Sequence, residues 1–257
     1  MTADPRQAAA HAPPLGPDGL RLEDGPARRF LAACWVWGLA SMALAALASW
    51  SLVHPELADG RPALGFGRLR PLAELLLLLG FLGNGFFALV HHSAQRLCCA
   101  PMAAAPLGWL HLWGWQLALI WAAWTVAGGA MEPRLLSPAE APVDLTLAGL
   151  WTLFGVQLLV TLTRRRQRYM YASLWFYLAA TLLFGGLQLA AALASLPHPL
   201  LGSPPFAGAA DAALQWWYVR NGAGALVVLG LFGVAYDLAP RIAAAPLHSY
   251  RMGIVHL

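Results

Sequence analysis

The stretch DAALQWWYVRNGAGALVVLGLFGVAY, Asp211 to Tyr236, is apolar over more than the roughly 20 residues that an α-helix needs to cross a bilayer. About a third of the way along it stands an arginine, Arg220. A guanidinium at that depth costs roughly 2.5 to 3.5 kcal/mol on insertion scales, so it is tolerated where it faces protein, water or a partner charge. The surroundings of Arg220 are therefore the first functional question the sequence poses.

Working outward, further apolar runs lie at about 30–53, 72–90, 107–126, 145–162 and 171–196, and with 212–238 they make six predicted spans. Of the 257 residues 59% are hydrophobic and only 11% charged, against about a quarter charged in soluble domains. The expected fold is an all-α integral membrane protein, a bundle of about six transmembrane helices over 29–257. Residues 1–28, rich in Ala, Pro and Gly and lacking an apolar run, read as a disordered cytoplasmic tail. The first apolar run starts too late and is too long for a cleavable signal peptide.

All 16 basic residues are arginines. With a cytoplasmic N-terminus, eleven lie inside (Arg6, Arg21, Arg28, Arg29, Arg96, Arg164, Arg165, Arg166, Arg168, Arg241, Arg251) and four outside (Arg61, Arg68, Arg70, Arg134). That bias places both termini in the cytoplasm under the positive-inside rule. Loop arginines of this kind account for the net charge of +4 and exclude nucleic acid as the expected partner. Three cysteines, two of them adjacent at Cys98 and Cys99, make no disulfide framework.

Several segments carry a family resemblance. DAALQWWYVRN (211–221) followed by APRIAAAPLHSYRMGIVH (239–256), FGRLRPL (Phe66–Leu72), QRLC (Gln95–Cys98) and RQRYMYASLWFYLA (Arg166–Ala179) occur in matching order. Together they resemble the first half of subunit I of cbb3-type cytochrome c oxidase, the C family of heme-copper oxidases. The resemblance implies a twelve-helix fold in the bacterial inner membrane, heme b and copper as cofactors, other oxidase subunits as partners, and electron transfer from cytochrome c to O2. It also matches Ala73 to a histidine that binds the low-spin heme, Arg220 to a histidine that binds copper, and Gln188 to a common histidine position. Arg68 and Arg70 would lie near heme propionates, or else anchor the helix end on lipid phosphate. The later helices and their ligands fall beyond the matched half.

Alanine offers iron no lone pair. The expected function is accordingly a non-catalytic structural, assembly or regulatory relative of subunit I, with no bound cofactor. The alternative is a working redox subunit of a split or variant oxidase, its heme held by other ligands such as His91 and His111. His91, His92, Cys98, Cys99, Met102 and His111 are also candidate copper or zinc ligands, but their spacing fits no standard zinc pattern, and the favoured reading is polar residues and reduced thiols at a membrane interface. A candidate intramembrane polar site comprises Glu74, Tyr218, Arg220 and Asn221, with Arg220 facing the interior as a substitute cation hydrogen-bonded to Tyr218, Asn221 or Tyr177. Gly222, Gly224, Gly230 and Gly233 would let another helix come close.

Overall fold

The computed structural model describes residues 22–132, 134–196, 206–244, 253 and 255. The described residues form six long helices and no strand: α1 (Gly25–Val53), α2 (Phe66–Cys98), α3 (Ala105–Gly128), α4 (Ala141–Thr163), α5 (Ala172–Ala194) and α6 (Ala209–Ile242). Five are long and apolar enough to cross a membrane. The sixth, α3, carries no charged residue but has five tryptophans, His111 and Gln116, which lower its hydropathy. Residues 1–21 of the expected tail lie outside the described residues, as does most of the 239–256 motif past Ala244. Helix α1 begins at Gly25, several residues ahead of the apolar run, because Pro26 suits a first turn and Asp24 is held by α2.

Helix α2 is the axis of the bundle. Two thirds of its most apolar stretch is buried, against 22% for α1. Helices α1, α3, α4, α5 and α6 follow around it in chain order, each beside the next. The α1–α2 pair interlocks through small residues. A Cβ on Gly80 would lie 2.8 Å from Trp37 Cβ, and one on Gly38 would lie 2.7 Å from the Phe81 ring, so each glycine receives an aromatic from the opposite helix.

Two helices widen into π turns, α2 at Leu76–Gly83 and α6 at Ala225–Leu229. A π turn displaces the i→i+4 ladder and leaves carbonyls to be satisfied from elsewhere. In α2 this is done by side chains: Trp115 Nε1 donates to Leu79 O (3.2 Å) and Asn84 Nδ2 to Gly80 O (2.6 Å). The core between α2, α3, α4 and α5 is aromatic, with Trp115, Trp151, Phe87, Phe154, Phe184 and Tyr177 all buried. Trp151 Nε1 reaches Thr181 O (2.9 Å), so its polar end is satisfied too.

Candidate functional site

The two positions that the resemblance matches to cofactor ligands lie in different surroundings. Ala73 is buried at the α1–α2 contact, where its carbonyl accepts a bond from Ser41 Oγ (2.8 Å). Arg68 reaches across to the end of α3 and donates to Ala127 O (3.1 Å). Its guanidinium lies where a side chain on Gly129 (φ +93°) would stand. Arg70 pairs with Glu74 on its own helix (2.8 Å).

Arg220 does not face the interior. The buried stripe of α6 runs Leu214, Tyr218, Gly222, Ala225, and Arg220 lies on the exposed side with no hydrogen bond or ion pair among the described residues. Tyr218 donates to Gln188 Oε1 (2.9 Å), Asn221 to Trp217 O (2.9 Å), and Tyr177 lies 3.2 Å from Ser93 Oγ. Glu74 is engaged by Arg70. The polar site expected from Glu74, Tyr218, Arg220 and Asn221 is therefore not assembled. Of the four glycines, Gly233 packs under the Tyr177 ring, Gly230 lies near Phe86 and Gly222 near Phe184, while Gly224 has open space.

The candidate metal cluster also comes apart, because α2 turns its residues to different sides. His92 points outward, its Nδ1 3.0 Å from Arg96 Nη1 and 3.4 Å from Asp24 Oδ1. Cys99 accepts from Gln167 Nε2 (3.3 Å), and Met102 Sδ from Thr161 Oγ1 (3.7 Å). No group of three or more His, Cys, Asp or Glu suited to a metal ion occurs among the described residues. His91 and His111 do meet, buried side by side with ring centroids 6.3 Å apart. Phe30 stands 5.3 and 5.2 Å from them and Phe154 5.7 and 5.3 Å, so no slot for a porphyrin opens between the rings.

Three polar arrangements were not read from the sequence. In the first, Trp37 Nε1 donates to Gln116 Oε1 (2.7 Å) and Gln116 Nε2 to Asn84 Oδ1 (2.7 Å), linking α1, α3 and α2 through the middle of the bundle. Amides at 84 and 116 inside apolar runs were the available signal. The second ties down residues 22–24, which composition alone assigns to the tail. Asp24 forms a two-oxygen pair with Arg96 (3.1 and 2.9 Å), Glu23 exchanges backbone bonds with the Gln95 amide, and Glu23 Oε1 accepts from Trp109 Nε1 (3.0 Å). The Arg96 bond holds the Asp24 carboxyl below its ordinary range. At the opposite end Arg134 joins Glu132 (2.9 Å), Asp211 (3.1 Å) and Ala194 O (3.1 Å), clamping the α3–α4 loop to α5 and α6.

Apolar helices wrapped in order around a buried axis define an integral membrane helix bundle. The family model described as cytochrome c and quinol oxidase polypeptide I matches residues 25–257, and the chain belongs to that family. It is 32% identical over 229 residues to the cbb3-type cytochrome c oxidase subunit CcoN1 of Stutzerimonas stutzeri, covering 89% of this chain and 48% of that protein. It is 31% identical over 239 residues to cytochrome c oxidase subunit 1 of Rhodobacter capsulatus, covering 91% and 45%. A cytochrome c oxidase subunit 1 homolog of Agrobacterium tumefaciens is 30% identical over 256 residues, covering 98% and 47%. The chain spans about half the length of these relatives.

Proposed function

We propose that this chain is a non-catalytic membrane subunit that keeps the subunit I frame and serves the structure, assembly or regulation of a respiratory oxidase. One observation carries the reading: Ala73 is packed against α1 and Arg220 is turned out of the bundle, so neither matched position presents a ligand to iron or copper. The residues present do not fit the heme and copper of the family, and no electron-transfer step is assigned to them. The exposed Arg220 face, with Trp216 and Trp217 beside it, supports docking of another membrane subunit, since a guanidinium left in hydrocarbon is costly. The proposed setting is a bacterial inner membrane with both termini cytoplasmic, and the arginine distribution supports that orientation.

An optical spectrum of the purified chain tests the proposal. No Soret band at one heme per chain is the expected result; a stoichiometric band would overturn it in favour of a working redox subunit.

A further inference from the structure

His91 from α2, His111 from α3 and Gln157 from α4 meet near the end of the bundle that holds Asp24 and the Arg164–Arg168 loop, and all three are buried. Among the described residues their polar atoms are unusually bare. His91 Nε2, both nitrogens of His111 and Gln157 Oε1 have no hydrogen-bond partner. Buried polar atoms are normally paired, and a cluster of unpaired ones calls for a bound group.

The protons can be assigned from the bonds that do exist. A carbonyl only accepts, so His91 Nδ1 donates to Phe87 O (2.9 Å), which leaves Nε2 a bare lone pair. Gln157 Nε2 donates to Ala103 O (2.9 Å), which leaves its Oε1 a free acceptor. His111 adds one lone pair and one N–H. The site thus offers three free acceptors against two free donors, the His111 N–H and the second N–H of Gln157, an excess of lone pairs that suits a cation.

Geometry narrows the choice. Two imidazole nitrogens in line across one ion, each about 2.0 Å from it, put their ring centroids about 6 Å apart. The rings here are 6.3 Å apart and within 11° of parallel. Gly108 keeps the approach open: a Cβ there would meet Gln157 Nε2 at 3.4 Å and His91 Nε2 at 3.7 Å. No carboxylate bonds to either imidazole, and Phe30, Phe87 and Phe154 wall the rings. A divalent ion would be buried without countercharge, and zinc would lack its usual four ligands. Two neutral nitrogens in a dry aromatic box suit a soft monovalent ion.

We propose that His91 and His111 bind a single Cu(I) ion, with Gln157 Oε1 as a weak third donor. The inference does not rest on the subunit reading above.

The test is an anaerobic titration of the full chain in detergent with Cu(I), in competition with the chromophoric chelator bicinchoninate. One Cu(I) per chain should be withheld from the chelator, and X-ray absorption should show a nitrogen or oxygen shell with imidazole scattering and no sulfur. His111→Phe should weaken binding by at least the roughly 10- to 100-fold that loss of even an outer-shell partner costs a metal site, while His92→Ala should leave it unchanged. If His111→Phe does not fold, the absorption spectrum of the unaltered chain decides. Copper left with the chelator, a sulfur shell that puts the ion at Cys98 or Cys99, or a water between the imidazoles of copper-treated crystals would each overturn the proposal.

Discussion

Arg220 lies eleven residues past Ala209, about 17 Å along α6 at 1.5 Å per residue. Its side chain emerges on the face opposite Tyr218, because two residues advance an α-helix by about 200°. On that exposed side it stabilises nothing within the chain, so Arg220→Met in detergent should leave the melting temperature unchanged or raised. A marked drop would show a hidden polar partner. Asp24 is the converse case. Its pair with Arg96 depresses the carboxyl pKa, so the stability it contributes is present above the ordinary aspartate value of 3.8 and is lost as pH falls below it. Thermal melts of the parent and Asp24→Asn should differ at neutral pH, by about 1.5 to 3 kcal/mol as for other charged hydrogen bonds, and converge in acid. The depth of Arg220 was legible in the sequence but its side of the helix was not read. The stripe Leu214, Tyr218, Gly222, Ala225 carries that information, and it outweighs the attraction of filling a ligand position with a cation.

Among the elements, α2 shows how a helix of leucines acquires specificity. The run Leu75–Leu79 could slide against α1 with little penalty, since lipid tails are as apolar as leucine. Register is instead set by Gly80 under Trp37 and Phe81 over Gly38, and by the Trp37–Gln116–Asn84 chain. Gly80→Ala should force Trp37 off its seat and cost about 1 to 3 kcal/mol, read as a lowered melting temperature; Gly224→Ala, with open space around it, should cost far less. The helices themselves were legible because apolar runs of this length have few other uses. The π turns were not, since nothing in a row of leucines marks where the backbone ladder will slip. Nor was the seat of residues 22–24, whose acids read as tail until Gln95, Arg96 and Trp109 supply their partners.

For the whole molecule, six long helices running alternately up and down put Asp24, Cys98 and Arg164–Arg168 at one end and Arg134 with Asp211 at the other. A reporter active only in the periplasm, inserted at exposed Leu135, should be active, and one fused after Leu257 silent. Activity at Leu257 would refute the orientation. Family membership was legible from a few short motifs, and a pairing of His91 with His111 from adjacent helices was among the expectations, whereas Gln157 as their neighbour was not, since a third helix must be docked before those atoms share a space. The order in which helices surround α2 has a consequence for biosynthesis. Each new helix emerging from the ribosome finds its seat beside the one just inserted, so most contacts form between neighbours in sequence and little loop entropy is lost in making them. The bundle can grow as a scroll around α2, each helix laid against the one before it.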